Sequence, residues 1–168
     1  MDESVVRCSE CNAMSAAEDV FAVDGEPVCS RCLYGEAAPV RIFPIGRVVN
    51  DQHRNRSDFG RSGGGTSRIE LAAGQERFMH GLEDETDLTV VYYLHEARPV
   101  RSRFRRGLDR KKVSVFASRT PDRLSRIAIQ EARLVGVEGT TLIVEDLDAI
   151  DGSPVLDLKL GRRRLEGR

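Results

Sequence analysis

Apolar and polar residues alternate along most of this chain in short runs with the period of a strand. Seven stretches rich in β-branched and aromatic residues read as strands: 40–49, 68–72, 88–95, 113–118, 127–137, 141–147 and 155–159. Pro44 makes the first an edge or bulged strand, because proline cannot donate to a ladder. The interruption Glu138-Gly139-Thr140 predicts a hairpin turn. Only 76–85 and part of 121–126 invite helical or irregular turns, and 51–67, polar and ending in RSGGGTS, reads as a long loop. Near the N-terminus, DVFAVDGEPVC predicts a short hairpin turning at Asp24-Gly25, with Val20, Val23 and Val28 facing inward. Many short strands with little helix predict a mainly β fold, a small closed or nearly closed barrel. A mixed α+β sandwich is the alternative.

The four cysteines change the picture of the first 36 residues. Cys8 and Cys11 in CSEC and Cys29 and Cys32 in CSRC form two C-x-x-C pairs at the spacing of a four-cysteine metal site. Each C-x-x-C turn brings two thiolates to one side of a tight knuckle, and two knuckles complete a tetrahedron around zinc. A closed site of this kind is structural, and so short a segment needs the metal for much of its folding free energy. Disulfides would require an oxidising compartment, for which no targeting signal speaks. A thioredoxin-like redox site would need a βαβ setting. A four-cysteine iron centre has the same spacing and stays open.

With 168 residues, 40% hydrophobic and 32% charged, the chain suits one ordinary domain plus a small appendage. No apolar run approaches the ~20 residues that span a bilayer, so no membrane association is expected. The start MDESVVRC has no secretory pattern, and a cytoplasmic location is expected. The net charge of -1 hides two opposed parts. Residues 1–39 carry a balance of -6, whereas 98–126 hold eleven bases against Asp109 and Asp122, a balance of +9. Arg98, Arg101, Arg103, Arg105, Arg106, Arg110, Lys111 and Lys112 form a dense basic loop between two predicted strands. Such a stretch releases counterions on binding phosphates, so an RNA is the expected partner, with Arg101, Arg103, Arg105, Arg106, Lys111, Lys112 and Arg123 as contacts. Solubility, or pairing with the acidic head, is the plainer reading of the same charges.

No Walker loop follows Gly63-Gly64-Gly65, and neither GxSxG, HExxH nor a dinucleotide fingerprint is present. Four segments in order carry a different signal: IFPIGRV (42–48), GLEDETDLTVVYYLHEA (81–97), VFASRTPDR (115–123) and LDAIDGSPVLDLK (147–159). Together they resemble the TsaA-like, TrmO-type family of S-adenosylmethionine-dependent tRNA methyltransferases, over residues ~40–160 and without the cysteine head. The resemblance implies a small β-barrel, commonly a homodimer, that holds S-adenosylmethionine and methylates the exocyclic amine of a threonylcarbamoyl-adenosine in tRNA. Together with the cysteine pairs it divides the chain into three segments: 1–36 for zinc as a knuckle or ribbon, 40–160 for the barrel, and a basic tail at 161–168.

The same resemblance points to cofactor contacts. His95 and Glu96 occupy the His-containing position at a strand end, and Arg119 matches the Arg of the FATR segment. Asp151, Gly152, Ser153 and Pro154 match the DGTP turn. Arg61, Ser62 and Gly63 correspond to a cofactor loop. Without the family, His95 reads as a strand-end histidine bonded to backbone, Arg119 as a surface ion pair and DGSP as a good turn. The chain departs from the family's R-P-N-P-I-G segment, which here is Arg123-Leu124-Ser125-Arg126-Ile127-Ala128. Two fixed φ angles and a glycine are lost there. A non-catalytic nucleic-acid or protein adaptor built from the same barrel and zinc segment is therefore the alternative function.

Overall fold

A computed structural model describes residues 4–50, 65–96, 99–107 and 109–161 of the chain. Its first part contains strands β1 (Val5–Arg7), β2 (Met14–Ala16), β3 (Val20–Val23) and β4 (Glu26–Cys29) and the short helix α1 (Ser30–Tyr34). There follow β5 (Gly46–Val49), β6 (Thr66–Leu71), β7 (Asp87–Tyr93), β8 (Arg103–Arg105) and β9 (Lys112–Ser114). The last three strands are β10 (Ile127–Glu138), β11 (Thr141–Glu145) and β12 (Pro154–Leu160). Two compact units result, one from Met1–Arg41 with Glu96–Arg126 and one from Ile42–His95 with Ile127–Arg168.

The second unit is a closed barrel in the order β10-β11-β6-β5-β12-β7, with every neighbouring pair antiparallel. Alternation builds it: Leu88, Val90 and Tyr92 of β7, Ser67, Ile69 and Leu71 of β6, and Leu142 and Val144 of β11 all turn inward. Val48, Val155, Leu134 and Ala132 complete the lining, and Leu147 and Ala149 are buried just beyond β11. Closure leaves no free sheet edge. The long β10 makes it possible by pairing with β7 along its first half and with β11 along its second. The register shifts between Leu134 and Gly136, leaving Val135 half exposed as the extra residue of a bulge. Gly46 is where β5 comes closest to β6: a Cβ there would lie 2.9 Å from the Leu71 Cα and nearer still to the Glu70 carbonyl oxygen.

In the first unit, β3 and β4 form the expected hairpin around Asp24-Gly25, both with positive φ. Val28 is buried beside Cys8 and Cys29, with Val20 and Val23 packed against them. Val100 pairs in parallel with Val23, its N–H donating to the Ala22 carbonyl (3.1 Å) and its own carbonyl accepting from Asp24 N–H (2.9 Å). The sheet thus gains a third member from the distant 96–126 segment. That segment belongs to the same compact unit as the cysteines.

Most predicted strands form within a residue or two of their expected ends, and three regions differ. The first barrel strand starts only at Gly46, because Pro44 removes a donor, and Val40 and Phe43 are exposed. The expected strand 113–118 stops at Ser114 and turns into a single 3₁₀ turn, Val115–Ala117. Ser118 Oγ donates to the Val115 carbonyl there (2.8 Å), a local bond that competes with a ladder. The expected basic loop is a hairpin, β8 with β9, pairing Arg103 with Ser114, Phe104 with Val113 and Arg105 with Lys112. Its arginines alternate with Phe104 as strand residues do. Among the described residues, no helix is long and apolar enough to cross a membrane.

Candidate functional site

The DGSP segment follows the buried Leu147 and Ala149 and enters β12 through a tight turn. Gly152 has φ 76°, which a side chain adopts only with strain. The turn is stitched to β5 and the residue beyond it. Gly152 N–H donates to the Val48 carbonyl (2.8 Å), and Val48 N–H donates back to the Ser153 carbonyl (2.9 Å). Asn50 N–H donates to Asp151 Oδ1 (3.0 Å), and Asn50 Nδ2 to the Ala149 carbonyl (2.7 Å). Asp151 therefore acts within its turn as an acceptor for Asn50.

His95 stands beside this turn: a Cβ at residue 152 would lie 3.7 Å from His95 Nε2. The histidine is exposed and its N–H donates to the Tyr93 carbonyl (3.0 Å). Ser153 is only 1% exposed, and its Oγ has no hydrogen-bond partner; the Oδ1 of Asn50 is likewise buried and unpaired. Buried orphan groups cost about 1–3 kcal/mol each unless a ligand or water meets them. One hydroxyl and one amide oxygen near this turn are thus left without partners, with an imidazole beside Gly152. Sequence reasoning missed Asn50. The signal available was its position at the end of a strand, just before the loop that holds Arg61, Ser62 and Gly63. That loop lies outside the described residues.

The remaining expected cofactor contacts, Glu96 and Arg119, are both exposed and belong to the first unit. So do the seven expected phosphate contacts, and these are not equivalent. Arg106 is engaged by Asp109 through two bonds, Nε at 3.1 Å and Nη2 at 2.6 Å, closing the hairpin loop. This pairing, the Arg106 hydrogen bond first, holds the Asp109 carboxyl below its ordinary range. Arg123 ties its own loop, donating to the carbonyls of Thr120 (2.9 Å) and Ser118 (2.8 Å). Arg101 lies 3.9 Å from Asp122 Oδ2. Arg103, Arg105, Lys111 and Lys112 are exposed. Phe116, 83% exposed two residues past β9, adds an aromatic face that the sequence reading did not single out.

The four cysteines converge. Their sulfurs all lie within 4.8 Å of one another, with Cys8–Cys32 at 3.9 Å and Cys11–Cys29 at 3.8 Å. Zinc–sulfur bonds of about 2.3 Å require sulfur–sulfur edges of about 3.8 Å in a tetrahedron, a length these two edges already have. Local structure explains the convergence. Asn12, at φ 60°, turns the first knuckle, and its N–H donates to the Cys8 carbonyl (3.0 Å). Cys29 ends β4 and caps α1, which puts Cys32 on the same side one turn later. Backbone N–H groups of Cys11 and then Cys29 lower the Cys8 thiol to about 6, whereas hydrogen bonding to Cys29 and Cys11 raises Cys32. One thiolate is favoured and the next is opposed, as expected where several would crowd without a cation.

The model of the tRNA-methyltransferase O N-terminal domain matches residues 48–160. The chain belongs to that family. Within the family, a probable S-adenosyl-L-methionine-binding protein of Methanothermobacter thermautotrophicus is 38% identical over 124 residues, 71% of this chain and 88% of that protein. A tRNA (adenine(37)-N6)-methyltransferase of Mus musculus is 31% identical over 87 residues, half of this chain but only 20% of the mouse enzyme. The crystal structure of TrmO from Pseudomonas aeruginosa superposes with a TM-score of 0.61 at 22% identity, over 78% of this chain and 60% of that one. This last likeness shows the TrmO-type barrel fold. The family match begins after the cysteine head.

Proposed function

We propose that this chain binds S-adenosylmethionine at the DGSP turn of its barrel and transfers the methyl group to the exocyclic amine of an adenosine, a threonylcarbamoyl-adenosine, in tRNA. The observation that carries the reading is the pair of buried, unpaired groups, Ser153 Oγ and Asn50 Oδ1, at a turn locked to β5. It is supported by a relative, similar over most of its length, that is described as binding this cofactor. When bound, S-adenosylmethionine supplies an already activated methyl group, so the protein has mainly to align donor and acceptor and let a proton leave. Ser153 can donate a hydrogen bond and Asn50 accept one, fixing polar groups of the ligand. His95 adds an imidazole beside Gly152; for Glu96, Arg119, Arg61, Ser62 and Gly63 the support is the sequence resemblance alone. Arg103, Arg105, Lys111 and Lys112 hold the tRNA phosphates. Ile129 and Val135, exposed on the outside of β10, favour a homodimer; the setting is cytoplasmic.

Transfer of labelled methyl groups to bulk tRNA tests the activity, and tRNA lacking the threonylcarbamoyl group tests the substrate. Incorporation that needs the modified tRNA is expected; none into either sinks the enzyme reading. One observation favours a non-catalytic adaptor as the second reading. Arg126 sits at φ 52°, where the family segment has a proline whose φ is held near -65°. The 123–128 segment thus follows a backbone path closed to the family's own residue, and cofactor binding without methyl transfer would favour the adaptor.

A further inference from the structure

We propose that the four thiolates of Cys8, Cys11, Cys29 and Cys32 hold one structural zinc ion, and that this centre fixes the arginine hairpin β8–β9 as the surface that binds RNA phosphates. The inference rests on the RNA part of the proposed function and goes beyond it by making that surface depend on metal. The four sulfurs lie within 4.8 Å of one another with two edges at tetrahedral length, and Cys29 N–H donates to the Cys8 sulfur (3.3 Å), the bond a metal-bound thiolate accepts. Among the described residues the cluster packed on them is small, Val28 with the partly buried Val20, Val23 and Leu33. So small a core leaves the hairpin β3–β4 dependent on the ion.

The hairpin β3–β4 is also what the basic segment is built on. Val100 pairs with Val23, and the next residues continue the attachment. Ser102 N–H donates to Asp24 Oδ1 (2.9 Å), and the Ser102 carbonyl accepts from Val115 N–H (3.1 Å). Arg103 begins β8 immediately afterwards, so the foot of the arginine hairpin is clamped to the turn of the cysteine hairpin. Once clamped, β8 presents Arg103 and Arg105 on one exposed face with Lys112 directly opposite Arg105. Like charges facing across a strand pair repel, and among the described ion pairs no acid is bonded to any of the three. Water and salt screen that repulsion, and a row of phosphates would turn it into attraction. Phe116, just past β9, offers a stacking face for an unpaired base.

The experiment measures metal content, tRNA affinity and amide exchange on the full chain. About one zinc per chain is expected, and no metal, or iron in its place, would overturn the assignment. Chelation should weaken binding of unfractionated tRNA at least ~10-fold, as the ordered phosphate contacts are lost. It should also strip amide protection from 100–105 and 112–115 while β7 and β10 keep theirs. Unchanged tRNA affinity and protection would overturn the coupling, and loss of barrel protection as well would overturn its confinement to this unit. In the metal-loaded chain, Arg103→Ala, Arg105→Ala and Lys112→Ala together should leave the zinc in place and lower the salt slope by about 3. An unaltered slope would overturn the phosphate role. None of these measurements uses S-adenosylmethionine, so failure of the methyltransferase reading shows separately, as absent cofactor binding.

Discussion

Gly46 and Gly152 are glycines for different reasons, and their alanine variants separate the two. At Gly46 a methyl group would meet backbone of β6, which cannot step aside, so Gly46→Ala should cost about 1–3 kcal/mol of stability in urea unfolding. At Gly152 the new atom would meet only His95 Nε2 at ordinary contact distance. The cost there comes from the left-handed backbone, about 1–2 kcal/mol. Arg126 presents the inverse case, a side chain held at φ 52°. Arg126→Gly should be neutral or stabilise slightly, whereas Arg126→Pro, the family's residue, should destabilise by more than about 1 kcal/mol. A proline tolerated there would contradict the backbone path described. The glycines of IFPIGRV and DGSP were visible in the sequence as part of a family pattern. The orphaned Asn50 was not, because burial without a partner depends on neighbours distant in the chain.

At the level of elements, hydrophobic alternation located the barrel strands because each has one face inside and one outside. It failed where charge masked the same pattern: Arg-Phe-Arg at 103–105 alternates like any strand but reads as a basic loop. It also overran at Val115, where a serine side chain closes a turn that no periodicity announces. The join between the two hairpins carries its own pH signature. Hydrogen bonds from Ser102, through its side chain first and then its N–H, with Arg101 and Arg103 nearby, hold the Asp24 carboxyl below its ordinary range. A carboxyl depressed on folding contributes stability above its unfolded value of about 3.9, and loses it as pH falls through the folded value. Exchange of the Ser102 amide should therefore stay slow down to about pH 4 and speed up below it. In Asp24→Ala it should be fast throughout, and equal protection in the two proteins at neutral pH would remove Asp24 from the clamp.

Across the whole molecule, the two opposed charge segments prove to share one unit. The acidic head at 1–39 and the basic segment at 98–126 lie in the same unit, joined by contacts such as Asp24–Ser102, 78 residues apart in the sequence. The charge asymmetry and the C-x-x-C pairs were legible from the sequence. Their partnership was not, since it depends on long-range contacts, the parallel bridge of Val23 with Val100 and the Ser102–Asp24 bond, that no local pattern encodes. The family match from residue 48 likewise treats as continuous a chain whose 96–126 portion leaves the barrel.

Calorimetric titration of the full chain with S-adenosylmethionine tests the central claim most directly. The account predicts saturable binding of about one ligand per chain, weakened by Ser153→Ala and by Asn50→Ala, because each removes a group left unpaired in the free protein. Heat of dilution alone, from a chain shown by its circular dichroism to be folded, would contradict it.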